Sequence, residues 1–353
     1  MQRKHYWTAV LLAALAVPMF AQQPKVSNTQ FAAETVTGNL AAKLDSVAQS
    51  HDSVWAGYEI QALTKTHFTT CSSGNDPENS DDGCCGEFHL EDHEYSNHNG
   101  KNTPEVQSIY VLVRFEAGQV IRMRPVPAGC HINADGVAFT WLTGVTQEES
   151  IAYLEKLATR DSSEKHAVDG AMMVLGYHAS PEATRALDRI AVSSAPMRTR
   201  EQAAFWLGVM RGHDGYVALK ELADKSSDSG LREKLPFDFS QNSDPAAEDE
   251  LMSMAKNDSD TKVREQAIFW IAQKAGKKAV GAISDAIEND PETEVKKRAV
   301  FALSQLPKEE GVPQLIHVAD TNRNPVVRKD AIFWLGQSHD PRALAYLEAI
   351  LKR

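Results

Sequence analysis

The sequence predicts a mainly α protein: a right-handed α-solenoid of about six helical hairpins, preceded by a small α+β domain with an antiparallel sheet. Three observations predict it. From residue 168 onward the chain repeats at 32 residues without an insertion, and a fixed period in this range is the signature of stacked hairpins. Between residues 53 and 143 four apolar segments are punctuated by Gly-bearing turns, the pattern of paired strands. Thr146 followed by Glu149 then forms a capping box that opens the helical part. With 353 residues, 42% of them hydrophobic, the chain is long enough for two cores.

The first residues read MQRKHYWTAVLLAALAVPMFAQQ. Arg3 and Lys4 stand ahead of an apolar run from Ala9 to Val17, with Pro18 and the small Ala21 after it, so residues 1–21 read as a secretory signal peptide. The run is too short for a bilayer span of about 20 residues, and no membrane span is expected after signal removal. A periplasmic or secreted location follows, and with it an oxidising compartment. There Cys71, Cys84, Cys85 and Cys130 read as disulfides. Cys84 and Cys85 are neighbours, so each is expected to reach one of the other two, with the pairing left open.

Residues 22–145 form the small disulfide-containing domain. Phe31, Val36, Leu40, Leu44 and Val47 fall at helical spacing and predict one amphipathic helix within residues 28–50. Strands are expected from Ser53, Ile109, Gln119 and Val137, with turns at Ala117–Gly118 and Asp135–Gly136. An acidic loop at 66–100 holds eight acidic residues, no Lys or Arg, three of the four cysteines, and His67, His89, His93 and His98. His89 and His93 have the spacing of two ligands on one helical face, and Asp76, Glu78, Asp81 and Asp82 offer oxygens suited to calcium. That pattern supports an alternative reading, a metal-binding protein or metal-dependent enzyme. It matches neither HExxH nor a spaced calcium loop, so a solvated, disulfide-tied loop is the preferred reading and no metal, cofactor or catalytic residue is assigned. No GxSxG, SxxK or glycine-rich phosphate loop occurs, and His131 reads as structural.

The array, 146–353, is anchored at Val168, Arg200, Arg232, Arg264, Lys296 and Arg328. Three residues on stand Ala171, Ala203, Leu235, Ala267, Ala299 and Ala331; seven on stand Leu175, Leu207, Phe239, Ile271, Leu303 and Leu335. A hairpin cannot hide its apolar stripe alone, so six in register must share one core. The strings VREQAIFWIAQKAGKKAVGAISDAI and VRKDAIFWLGQSHDPRALAYLEAIL resemble the HEAT-like repeats of the bacterial lyase-associated type, with pattern VRxxAAxALGxLxDPxAxPxLxxxL. The resemblance covers about the last half of the chain. It implies the solenoid and, for function, a scaffold or adaptor more than an enzyme. Some enzymes built on such repeats carry paired His-Glu motifs that bind a di-iron centre; here no His-Glu dipeptide occurs in the array, His178, His213 and His339 fall in turns, and His317 stands alone in a second helix.

Five units place phenylalanine at a position where the pattern is usually polar: Phe205, Phe237, Phe269, Phe301 and Phe333, with Met173 in the first unit. On a helical wheel these lie opposite the core stripe, which predicts an aromatic ladder of rings about 10 Å apart, either packed between helices or exposed as a protein-binding ridge. Trp206, Trp270 and Trp334 are assigned to the core side. In the third unit Pro236 falls inside the expected first helix and Asp238 takes an apolar position, so an irregular middle repeat is expected.

The charge is unevenly spread. The chain carries −11 overall and −13 once the two cations of the leader are gone. Residues 22–160 hold 9 basic and 18 acidic side chains, whereas 161–353 hold 26 and 30. A net acidic chain argues against duplex nucleic acid or an anionic membrane as partner. The expected function is therefore an exported interaction scaffold whose solenoid holds another protein by shape and apolar contact, without catalysis.

Overall fold

The computed structural model describes residues 23–63, 69–72, 86–92, 95–98, 105–160, 164–274 and 277–352; residues 1–22 and most of the acidic loop lie outside them. The amino-terminal part contains β1 (Lys25–Ser27), β2 (Phe31–Thr35), α1 (Leu40–Ser50), β3 (Ser53–Gln61), β4 (Thr69–Ser72), β5 (Phe88–His89), β6 (Tyr95–His98), β7 (Ser108–Glu116), β8 (Gln119–Pro127), β9 (His131–Asn133) and β10 (Ala138–Thr143). The apolar runs of β3, β7 and β8 occupy one side of a five-stranded sheet ordered β2-β10-β3-β7-β8. β3, β7 and β8 pair antiparallel, as expected, and Ala117 and Gly118 (φ 46° and 75°) make the tight hairpin turn between the last two.

Two expectations are corrected here. The sheet is mixed, because β10 runs parallel to both β2 and β3. It enters its slot from β9 through the Asp135–Gly136 turn instead of by a hairpin with a sheet neighbour, so nothing forces antiparallel pairing. The single helix over 28–50 is also replaced. Phe31–Thr35 is an exposed edge strand, Gly38 at φ 106° turns the chain, and Asn39 accepts the Ala42 N–H to cap a shorter α1.

One face of the sheet packs Val54, Tyr58, Val111 and Val113 against Leu40, Leu44 and Val47 of α1. The other packs Trp55, Leu112, Phe139 and Trp141 against Phe88, Leu90 and Ile132, which belong to or adjoin the three-stranded sheet β1-β9-β5. Cys130 is buried there and disulfide-bonded.

α2 (Gln147–Ala158) starts at the capping box, with the Thr146 and Glu149 side chains each accepting the other's backbone N–H. Then come α3 (Lys165–Tyr177), α4 (Pro181–Val192), α5 (Met197–Met210), α6 (Gly212–Lys225), α7 (Ser229–Arg232), α8 (Leu235–Gln241), α9 (Pro245–Asn257), α10 (Thr261–Lys274), α11 (Lys277–Asn289), α12 (Thr293–Gln305), α13 (Lys308–Thr321), α14 (Pro325–Gln337) and α15 (Pro341–Leu351). These are six hairpins at the predicted register. The third is irregular as expected: its first helix is split into α7 and α8, and Pro236 sits in the first turn of α8, where a missing N–H costs nothing.

Burial follows the repeat. Ala171, Ala203, Leu235, Ala267, Ala299 and Ala331 are all fully buried, small enough in five cases for facing helices to approach. In the second, third and fourth hairpins an arginine of the first helix binds an aspartate in the loop that leads to the next hairpin: Arg200 to Asp228 at 2.7 Å, Arg232 to Asp258 at 2.6 Å, and Arg264 to buried Asp290 at 2.7 Å. In every pair of repeats the first helices pack more closely on each other than the second helices do, which places the first helices on the inner side of the array.

The sheet closes one end of this stack. α3 lies on β8 so tightly that a Cβ on Gly170 would sit 2.3 Å from the Met123 carbonyl oxygen. The end of β3 bonds to the turn after α3, with Leu63 N–H donating to Tyr177 O and Ala179 N–H to Gln61 O, each at 2.9 Å. One hydrophobic core therefore runs from the sheet into the repeats.

Candidate protein-binding face

The phenylalanines predicted as a ridge all lie on the first helices, hence on the inner side of the array. Phe205, Phe237, Phe269 and Phe301 are half-buried, and Phe333 is 54% exposed. They do not form an even ladder. Phe205 stacks on Phe237 at 6.1 Å and Phe269 on Phe301 at 6.3 Å, both nearly parallel. Between these pairs a tryptophan intervenes: Phe237 meets Trp270 at 4.7 Å and Phe301 meets Trp334 at 5.0 Å. Trp206 meets Tyr177 of the repeat before it at 5.5 Å.

Trp206, Trp270 and Trp334 pack against the core, as assigned, and take part in the strip as well. They are half-buried and bridge successive repeats, because the position beside phenylalanine points back at the preceding first helix. Each also touches the phenylalanine next to it in sequence, at 5.3, 5.0 and 5.1 Å. The result is an unbroken strip of nine rings, from buried Tyr177 to exposed Phe333. Arg298 lies over two of them, 4.7 Å from Phe269 and 5.3 Å from Phe301.

The tryptophans recur every second unit, 64 residues apart, with Val174, Asp238 and Ala302 in the units between. That double period was open to reading in the sequence and is the signal that would have put the tryptophans in the strip. Two polar rows border the rings. One turn after the phenylalanines stand Gln241, Gln273, Gln305 and Gln337, all exposed, each with an amide able to donate and accept. One turn before them stand Glu201, Glu233, Glu265, Lys297 and Lys329.

Two buried titratable groups flank the strip. Asp238 is 2% exposed, and its Oδ2 has no hydrogen-bond partner among the described residues. Burial, reinforced by Glu201, holds its carboxyl well above the usual carboxylate range. His178, at the junction with the sheet, is held down to about 4 by burial and by the Arg211 guanidinium. Arg211 donates to the His178 carbonyl at 2.8 Å and to Leu175 O, capping α3 with a buried cation.

Most of the proposed metal loop falls outside the described residues: His67, Asp76, Glu78, Asp81, Asp82, Cys84, Cys85 and His93 are not among them, and for Cys71 and His98 only the backbone is. His89 is described, and its Nδ1 bonds Asp135 Oδ1 at 2.8 Å. No group of three or more His, Cys, Asp or Glu suited to a metal occurs among the described residues. In the array His213 bonds Asp244 at 2.6 Å, His317 is exposed on α13, and His339 occupies a turn at φ 52°. No described helix is long and apolar enough to cross a membrane.

HEAT repeats are matched over residues 248–332 and 282–353. Residues 248–353 are HEAT repeats. The two and a half hairpins before them continue the same period and packing. No curated protein matches the chain in sequence. Among solved structures, human deoxyhypusine hydroxylase in complex with glycerol is similar at 18% identity and TM-score 0.31, over 57% of this chain and 90% of that one. The CpcE–CpcF complex of phycocyanin lyase from Nostoc is similar at 20% identity and TM-score 0.34, over 44% and 99%. AlkD2 from Streptococcus mutans is similar at 15% identity and TM-score 0.38, over 54% and 97%.

Proposed function

We propose that the protein is an exported interaction scaffold that holds another polypeptide against the inner face of its HEAT array. The observation that carries this reading is the strip of half-buried rings bordered by exposed glutamines. A contiguous apolar surface with a polar rim is the anatomy of a protein interface, and aromatic anchors dominate binding energy there. The near-neutral charge of residues 161–353 supports a partner held by shape and apolar contact. The leader-like first 21 residues and the disulfide at Cys130 support export. The chain is assigned no catalytic step and no cofactor.

Phe269→Ser with Phe301→Ser tests this reading. Each change removes about 1–1.5 kcal/mol of apolar contact from a docked partner, so the pair weakens binding by roughly 50-fold or more. Affinity capture from the cell envelope with wild type and variant, beside thermal melting of both, is the measurement. A partner captured by wild type and lost by a variant that still melts cooperatively near the wild-type temperature supports the reading. A partner retained equally by both refutes it. Sequencing the mature amino terminus tests export, which an intact Met1 would overturn.

A further inference from the structure

We infer that Arg298 clamps the carboxylate of an Asp or Glu side chain carried by a single linear segment of the partner, an inference that rests on the reading of the ring strip as a binding face. The strip is narrow. On α10, α12 and α14 its two polar rims, such as Glu265 and Gln273, stand eight residues apart, about 12 Å at the helical rise. From Tyr177 to Phe333 it crosses five steps between first helices, about 40–50 Å in all. That is about 500–600 Å², below the roughly 800 Å² that each side buries in a standard interface between folded proteins. A track of these proportions takes one segment of chain, a strand or a helix wide.

Arg298 is the exception among the arginines. Every other arginine on helices α3 to α15 donates to a carboxylate or a carbonyl oxygen. Arg298 has neither a hydrogen bond nor an ion pair among the described residues; its Nε is buried with no partner, and the side chain as a whole is half-buried. What holds it is the stacked pair Phe269 and Phe301, with its guanidinium over both rings. Carboxylates of the neighbouring rim are engaged elsewhere, Glu265 by Lys262 at 3.1 Å and Glu294 by Lys297 at 2.9 Å. Two rings thus fix a planar cation on an apolar track with its donors uncommitted. A guanidinium meets a carboxylate through two parallel N–H···O bonds, and its weak hydration lets it do so against aromatic faces. The rings on either side take apolar side chains, so the recognised element is an acidic residue flanked by apolar ones. The same position holds Gln266 one repeat before and Asp330 one repeat after, so the clamp occurs once in this stretch and sets the register of the segment.

A display library of random dodecapeptides, each about 40 Å long when extended, panned on the purified protein, tests the inference. The expected consensus has one Asp or Glu beside apolar or aromatic residues. The strongest such peptide, synthesised with its acid and with the matching amide, is then titrated by fluorescence anisotropy onto wild type and onto Arg298→Gln, which copies Gln266. Exchanging acid for amide is expected to weaken binding to wild type by about 10–100-fold and to change binding to the variant by less than about twofold. Arg298→Lys, which keeps the charge and loses the fork, is expected to fall between the two, and thermal melting of both variants near the wild-type temperature shows them folded. A library that enriches nothing, a consensus without an acid, or an acid-to-amide cost equal on wild type and Arg298→Gln would each overturn the inference. Peptides that are lost with Phe269→Ser and Phe301→Ser but are indifferent to Arg298 remove the clamp and leave the binding face standing. Peptides indifferent to all three changes remove both.

Discussion

Gly176 and Gly336 occupy the same repeat position, and the same substitution at the two sites is expected to have opposite effects. Alanine at 176 would place a Cβ 2.3 Å from Trp206 Cε3 and 2.6 Å from Cδ2, where carbon atoms need about 3.5–4.0 Å. The ring cannot simply retreat, since Tyr177 holds it on one side at 5.5 Å and Phe205 on the other at 5.3 Å. More than 1 Å of displacement in a close-packed site costs about 2–4 kcal/mol, against which the helical preference of alanine returns about 1. The net loss at 176 is roughly 1–3 kcal/mol. Gly336→Ala meets nothing within 4 Å and gains about 0.5–1 kcal/mol. Urea unfolding followed by far-ultraviolet circular dichroism measures both. Equal shifts of the two midpoints, or a stabilised Gly176→Ala, would refute the idea that each first helix is seated in its predecessor.

Three further outcomes follow from the buried charges. His178 is depressed in the folded state to about 4, so its stabilising effect is present above its unfolded value near 6.5 and is lost as pH falls through that window; about 3 kcal/mol disappears between them, and His178→Gln flattens the urea-midpoint profile over pH 7–4.5. Asp238 has the opposite sign: its raised folded value stabilises at low pH and is lost as pH rises, so Asp238→Ala, which copies Ala302, raises stability at pH 7 by roughly 1–3 kcal/mol and loses that advantage below pH 4. Arg264→Met strands the buried Asp290 carboxylate and lowers stability by about 3–5 kcal/mol, whereas Arg264→Met with Asp290→Leu recovers most of it; thermal melts of the single and double variants decide the matter.

The repeat was legible because burial imposes it: a stack of hairpins needs a fully buried apolar residue at the same depth in every unit, and the series from Ala171 to Ala331, alanine in five units and Leu235 in the third, records that need. The strands from Ser53, Ile109 and Gln119 were legible for the same reason, being apolar runs bounded by turns. Residues 28–50 misled because Phe31 and Val36 fit a helical stripe by spacing, while Gly38 and Asn39 broke it with backbone and capping chemistry. The second role of the tryptophans, which also pack on the core, was hidden for a different reason. A wheel drawn on one helix separates inside from outside and has no direction for the neighbouring repeat, where Trp206, Trp270 and Trp334 in fact point. The face was thus half visible in the sequence: its phenylalanines as a row, its tryptophans only as a spacing.

The alternation of those rings limits how such a chain can change length. Stacked Phe205–Phe237 and Phe269–Phe301 contacts alternate with the tilted Phe237–Trp270 and Phe301–Trp334 contacts, so neighbouring hairpins are not interchangeable. Deleting the third hairpin would set Trp270 against Gly208, in a place shaped for the backbone at Asp238. Deleting the third and fourth together would restore every kind of contact, with Phe205 meeting Phe301. By its ring contacts the repeating unit of this strip is two hairpins, 64 residues, and a change of length in such pairs is the one that keeps every contact of its kind.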